Sequence, residues 1–341
     1  MGDRPASMPY EARGGAPRPA PNPSARGRWP QARHYAALDL GTNNCRLLIA
    51  RPQGSGFAVV DAFSRIVRLG EGLAATGRLS DEAIERTIAA LRVCADKLKR
   101  RDVALARSVA TEACRRASNG PDFIARAYAE TGILLDIISA EEEARLAVLG
   151  CHALIEPGEG AALVFDIGGG STELVLIDTR TAQPTILDWH SAPWGVVSLT
   201  ESVGHGGPDT YEQMRATVRE SFAPFGTRLP SGGGGKRLLG TSGTVTTLAS
   251  VHLGLPSYDR SAVDGLIMPA AAMRHVSRHI AALDFAGRAR VACIGHERAD
   301  LVVAGCAILE EIFDLWPAEQ LGIADRGIRE GILRRLMGTK R

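Results

Sequence analysis

The stretch LVFDIGGGSTELVLID, residues 163–178, decides the fold. Three apolar residues, Leu163, Val164 and Phe165, run into Asp166, and three consecutive glycines, Gly168, Gly169 and Gly170, let the backbone come close to a ligand. Ser171 and Thr172 precede a second apolar run, so the segment reads as strand, hard turn and strand with an acid and two hydroxyls at the turn. A dinucleotide-binding fingerprint needs a helix after its glycines, and residues 173–177 read as strand, which excludes that class. Taken alone, the segment suits an ordinary Gly-rich hairpin as well as an oxyanion-binding one.

A second copy shifts that balance. AALDLGTNNCRLLIAR, residues 36–51, aligns so that Asp39 lies over Asp166, Gly41 over Gly168 and Arg46 over Glu173. Leu47, Leu48 and Ile49 then lie over Leu174, Val175 and Leu176. Two hairpins of one design imply a duplicated fold with two facing halves.

Working outward, residues 57–67 read as a third strand. Ser80 caps a helix whose apolar positions Ile84, Ile88, Leu91, Ala95 and Leu98 keep helical spacing. A strand over 103–110, a helix from Pro121 to about Gly132, a strand over 133–138 and a helix capped by Ser139 complete the order βββαβαβα. The second half repeats it with insertions. Strands fall at 161–167, 172–178 and about 184–190, followed by a helix from about Thr210, a strand at 237–239 and a helix near Thr244. A helical insert spans about 269–283, and a helix over about 297–314, a strand near 321–324 and a terminal helix close the chain. GHGGPD (204–209) and SGGGG (231–235) read as loops.

Length and charge set further bounds. The 341 residues suit two domains, and 45% hydrophobic content suffices for a core in each. Residues 1–33 hold seven prolines and six arginines against Asp3 and Glu11, with no hydrophobic period, and are expected to be a disordered tail. The remainder carries 34 basic against 36 acidic residues, so a broad basic field of the nucleic-acid type is excluded and any polyanion must be gripped locally. No apolar run approaches a membrane span. The six cysteines show no ligand spacing, and reduced thiols in a cytoplasm are expected. The domains are expected at 34–145 and 146–341, with the terminal helix free to pack back on the first.

Four more stretches carry polar groups at element ends. SVATEACRRASN (108–119) ends a strand in a turn with Arg115 and Arg116, and arginine there either grips phosphate or is solvated. In IISAEEEARLAVLG (137–150), Ser139 and Glu142 match a capping box, which accounts for Glu142. Glu141 and Glu143 suit the helix dipole, but Glu143 shares a face with Ala147 and Gly150 that can lie toward a cleft while Leu146 and Leu149 face the core, which makes it a candidate base. RLLGTSGTVTTLAS (237–250) opens a helix with a Gly/Ser/Thr loop, which serves as an anion site or a plain cap. Arg298 and Asp300 open the helix at 297 and read as structural, with a cleft contact as the alternative.

The doubled order resembles the RNase H-like fold of the actin, hexokinase and Hsp70 superfamily, an α/β fold of two βββαβαβα halves with an inter-domain cleft. DLGTNNCR, VATEACRRASN, ISAEEEARL, DIGGGSTELV, GTSGT, ERADLVVAG and DRGIREGIL, in this order, resemble the Ppx/GppA phosphatases, the exopolyphosphatases and guanosine pentaphosphate phosphohydrolases. The resemblance implies hydrolysis of a terminal phosphoanhydride with Mg²⁺ or another divalent cation. It implies Glu143 as catalytic glutamate, Arg115 as phosphate-gripping arginine, and phosphate loops at Asp39, Gly41, Thr42 and Asn43, at Gly168, Gly169, Gly170 and Ser171, and at Ser242, Gly243 and Thr244. Asp166 and Glu173 match acids near the metal and the attacking water, and Thr42 replaces the more usual serine. Inorganic polyphosphate is the expected substrate, with the guanosine pentaphosphate pppGpp as the alternative, and a homodimer is implied. An ATP-dependent sugar or acetate kinase and an alarmone-binding module are the readings from other classes. Longer members add a helical domain with a His-Asp motif absent from this sequence, so a preference for short polyphosphate is expected.

Overall fold

In this computed structural model the described residues are 33–155, 158, 160–181, 184–205, 207–230 and 237–338. The expected disordered tail, apart from Arg33, and the SGGGG loop lie outside them.

The first hairpin and the strand after it form a meander of β1 (His34–Leu40), β2 (Asn44–Gln53) and β3 (Gly56–Ile66). A short helix α1 (Leu73–Thr76) precedes α2 (Asp81–Arg100), where the Ser80 side chain accepts from Ala83 N at 3.2 Å as the cap reading predicts. Then come β4 (Val103–Ala110), α3 (Glu112–Arg116), α4 (Gly120–Thr131), β5 (Leu135–Ile137) and α5 (Ala140–Cys151). The strand order is β3-β2-β1-β4-β5, with β4 and β5 parallel to β1.

The second half rebuilds this order from β6 (Ala161–Ile167), β7 (Thr172–Asp178) and β8 (Thr185–Ala192). After α6 (Val196–Val203) and α7 (Pro208–Gly226) come β9 (Arg237–Thr241), α8 (Gly243–His252), α9 (Arg260–Val263), β10 (Ile267–Pro269), α10 (Ala270–Ala282) and α11 (Phe285–Arg290). The chain closes with α12 (Val302–Leu315), β11 (Gln320–Ala324) and α13 (Ile328–Met337). The sheet runs β10-β11-β9-β6-β7-β8, the first sheet's order plus one antiparallel edge strand. Even the irregularity is shared, because the ladder shifts register after Ile49 in one sheet and after Leu176 in the other, two residues that the hairpin alignment superposes.

Short elements escape the sequence reading. The α6, α9, β10 and α11 segments carry eight residues or fewer, too few to display a period. The helix expected from Glu297 begins at Val302 instead, because the chain turns through Arg298, whose carbonyl accepts from Leu301 N and Val302 N.

Two helices tie the halves together. Leu146 of α5 packs with Tyr35, Val109, Ile328 and Ile332, in a cluster shared by the first sheet and α13. On its other side, α5 sends Ala144, Val148 and Cys151 against Val164, Val175 and Leu239 of the second sheet. The terminal helix α13 thus lies back on the first sheet while α5 spans both. Their backbones touch at glycines: a Cβ on Gly150 would stand 2.0 Å from the Gly327 oxygen, and one on Gly331 2.1 Å from the Leu146 oxygen. The small face expected to line the cleft is therefore divided, with Gly150 taken up by helix packing. Among the described residues no helix is long and apolar enough to cross a membrane.

Candidate active site

The two hairpins meet at their turns. Antiparallel pairing sets Asp39 directly opposite Arg46 on β1 and β2, and Asp166 directly opposite Glu173 on β6 and β7. Facing residues in a ladder hold their Cβ atoms about 5 Å apart, so one half presents an acid with a base and the other an acid with an acid. Both pairs line a single cavity of about 150 Å³ between the halves.

That cavity gathers nearly every residue singled out in the sequence. Gly41, Thr42 and Asn43 come from the first turn, Gly168, Gly169, Gly170 and Ser171 from the second, and Ser242, Gly243 and Thr244 from the start of α8, with Asp39, Glu143, Asp166 and Glu173 among them. Ser242 caps α8 by accepting from Val245 N at 3.2 Å. Gly243 and Thr244 occupy the first helical positions, whose amides have no intrahelical acceptor, and both residues line the cavity, as an anion site requires. The three glycines approach protein more than open space. A Cβ on Gly169 would meet Thr42 at 3.0 Å and the Asn43 amide at 3.1 Å, and one on Gly170 would meet the Thr42 hydroxyl at 2.6 Å. The run lets one hairpin seat on the other across the cleft.

The three acids of α5 take three directions, since each residue turns the helix by about 100°. Glu141 pairs outward with Arg145 at 2.6 Å. Glu142 departs from the expected capping box: Ser139 accepts its amide at 3.2 Å, but its carboxylate bonds Arg107 at 3.0 Å and also Arg335. Two guanidiniums outbid one backbone amide. Glu143, 7% exposed, faces the cavity.

Arg115 departs from expectation as well. It stands outside the lining, with all five N–H donors engaged. Nε and Nη2 donate to Glu112 Oε2 at 3.1 and 2.5 Å, Nη1 donates to the Ile138 carbonyl at 2.7 Å, and both Nη groups reach Glu143 Oε2 at 3.3 and 3.4 Å.

The acids oppose one another's ionisation. Burial pushes Glu143 well above the usual carboxylate range, and the charges of Glu173, Asp39 and Asp166 add to it against the pull of Arg115. Asp166 is raised by burial and by Glu173, and Asp39 by burial, with Arg46 countering both. Burial raises Glu173 too, although its Oε1 accepts from the Ser171 and Ser191 hydroxyls at 2.7 and 3.0 Å. Asp39 Oδ1 is buried with no hydrogen-bond partner. One partnerless carboxylate oxygen, among acids that oppose one another's ionisation, fits a hard divalent cation, which needs only one or two carboxylates beside water and phosphate. Asp166 and Glu173, with Asp39 beside them, are the groups that fit. Among the described residues no three His, Cys, Asp or Glu side chains form a closed cage.

Sequence reasoning underused Arg46 and passed over Glu112 and Thr247, all in the lining. The hairpin register alone sets Arg46 across from Asp39, so that signal was available; Glu112 and Arg115 are three residues apart, a spacing that pairs side chains only on a helix, and the segment reads as a turn in the sequence. Arg298 lines the cavity and donates to Thr247 Oγ1 at 3.0 Å, while Asp300 pairs with Arg68 at 3.4 Å.

Known proteins share this architecture. Exopolyphosphatase 2 of Mycobacterium tuberculosis is 33% identical over 320 residues, covering 89% of this chain and 98% of that protein. The crystal structure of an exopolyphosphatase-like protein superposes with a TM-score of 0.82 at 28% identity, over 89% of this chain and 99% of the other. A Ppx/GppA family member from Aquifex aeolicus superposes with a TM-score of 0.74 at 27% identity, over 91% and 99%. The sequence profile of the Ppx/GppA phosphatase family matches residues 48–340, and the chain belongs to that family.

Proposed function

We propose that the protein is an exopolyphosphatase, which hydrolyses the terminal phosphoanhydride of inorganic polyphosphate and releases orthophosphate. One observation carries the reading: a buried carboxylate, Glu143, faces a cavity whose walls are three turns rich in Gly, Ser and Thr. Likeness to the relative named Exopolyphosphatase 2 supports the substrate class.

In this reading the terminal phosphate lies among the amides of the three turns, and positioning is the largest contribution of the protein. Glu143, as carboxylate, accepts a proton from water and aims the oxygen at the terminal phosphorus. The new phosphorus–oxygen bond forms as the bond to the bridging oxygen breaks, and the shortened chain leaves with the electron pair of that bond. Arg115 offsets charge on the transferred group. Asp166 and Glu173 would hold a Mg²⁺ ion, which would supply positive charge to offset that on the transferred group.

Phosphate release from polyphosphate and from pppGpp, by one preparation with and without Mg²⁺, tests the reading. Faster release from polyphosphate, abolished by chelation, is expected. Faster release from pppGpp assigns the guanosine pentaphosphate reaction instead, and turnover that needs a second acceptor assigns a kinase.

A further inference from the structure

Arg115 is saturated by its own protein. A guanidinium offers five N–H donors, and here each has an acceptor: two go to Glu112, one to the Ile138 carbonyl, and Glu143 draws on both Nη groups. A phosphate cannot reach this arginine until an acceptor leaves. The Ile138 carbonyl is fixed in the chain between β5 and α5, and Glu143 is anchored in the first turn of a twelve-residue helix.

Glu112 is the acceptor free to move. It opens α3, a helix of only five residues whose N-cap, Thr111, makes no side-chain cap bond. It lines the cleft and borders two further cavities, a roomy one walled by Trp189 and His190 and a small one walled by Gly70 and Glu201. Its hold on Arg115 uses Nε and Nη2, the edge of the fork with which arginine binds phosphate. Behind it Arg116 Nε stands 3.8 Å from Glu112 Oε1, close enough to help keep the displaced carboxylate.

We propose that Glu112 is a resident competitor for phosphate: its carboxylate occupies the phosphate-binding edge of Arg115, and an incoming phosphoryl group must displace it. The proposal rests on the reading that a terminal phosphate binds beside Arg115. Glu112 thereby sets how tightly phosphate is held, and its return to the arginine helps expel the orthophosphate product. Glu112 is a positioning and specificity residue that acts through Arg115.

The test is calorimetric binding of inorganic phosphate to four proteins: the wild type, Glu112→Gln, Arg115→Met and the double variant. Glu112→Gln is expected to bind phosphate about tenfold more tightly, equivalent to about 1.4 kcal/mol. In the Arg115→Met background the same change is expected to have no effect. Glu112→Ala, which cannot bond Arg115 at all, must tighten binding at least as much, and thermal midpoints verify folding of every variant. Unchanged or weaker binding in Glu112→Gln overturns the proposal, since a group that merely braces Arg115 predicts weaker binding. Equal tightening in the Arg115→Met background overturns it too, because the gain would then come from general loss of negative charge. Failure of the exopolyphosphatase reading shows separately, as wild-type protein that releases no phosphate from polyphosphate.

Discussion

Glu143 sits where its ionisation is opposed by burial and by three neighbouring acids and assisted by Arg115. A base so placed accepts a proton readily, which is the property general-base catalysis requires. Glu143→Gln keeps the shape and removes the proton acceptor, so turnover of polyphosphate is expected to fall about a hundredfold or more while folding is kept. Phosphate release near the wild-type rate would take Glu143 out of the mechanism. The acids have a second consequence. Asp39, Glu143, Asp166 and Glu173 all have raised values, so the folded chain keeps protons at pH values where the unfolded chain has lost them. Their contribution to stability is full below the ordinary carboxylate range and is lost as pH rises through the raised values. Asp61, depressed to about 2 by Lys97 and Arg101, loses its contribution only in acid and does not mask this window. The melting temperature in chelator is therefore expected to fall as pH rises from about 5 through about 7, where Glu173 ionises, less steeply in Asp166→Asn and less steeply again with Mg²⁺ present. A flat profile in chelator would show that these carboxyls ionise at ordinary values.

The hairpins were legible because a strand has period two and an acid before glycines interrupts it visibly, and the alignment of Asp39 with Asp166 survives in the ladders down to a shared register shift. The α5–α13 contact was not legible, since a glycine in a helix does not say which backbone it admits. Gly331 shows how that contact can be tested. In an isolated helix Ala is better than Gly by about 1 kcal/mol, so propensity alone favours Gly331→Ala. Against that gain, the added Cβ would stand 2.1 Å from the Leu146 carbonyl oxygen, a backbone atom that cannot swing aside. Overpacking of this kind costs about 1–3 kcal/mol, so the variant is expected to melt at lower temperature. Leu146 is one turn from Glu143 on α5, and displacing it moves the candidate base. Turnover is thus expected to drop with stability, at temperatures where the variant is folded. A melting temperature equal to or above that of the wild type would mean that α13 sits farther from α5 than described.

The cleft mouth shows what a sequence withholds, because contacts between distant segments depend on how the halves close. Residues 67–72 bridge the two halves. Val67 N and Arg68 N donate to the Asn43 carbonyl, and Gly70 N donates to that of Thr42, so the segment is tied to the first turn of the site. On its far side, Arg68 reaches Asp300 at 3.4 Å and the Glu297 carbonyl at 3.4 Å, and Gly72 N donates to Glu201 Oε1 at 2.8 Å. Arg68 adopts φ +47°, a left-handed conformation unusual for a residue with a side chain, in the turn that aims it at the second half. Exposed ion pairs contribute at most about 1 kcal/mol each, so this clasp biases closure without locking it. Removing both contacts in Arg68→Ala/Glu201→Ala is expected to raise the radius of gyration in small-angle scattering and to raise KM for polyphosphate severalfold with little change in kcat. Salt separates the two contacts. The Arg68 pair is screened when the Debye length falls to about 3 Å in 1 M salt, so wild-type scattering should shift part of the way toward the double variant, while the double variant itself stays put. Identical scattering from both proteins at low salt, with equal KM, would leave closure to Thr42, Asn43 and the glycine run, and the clasp would have no part in it.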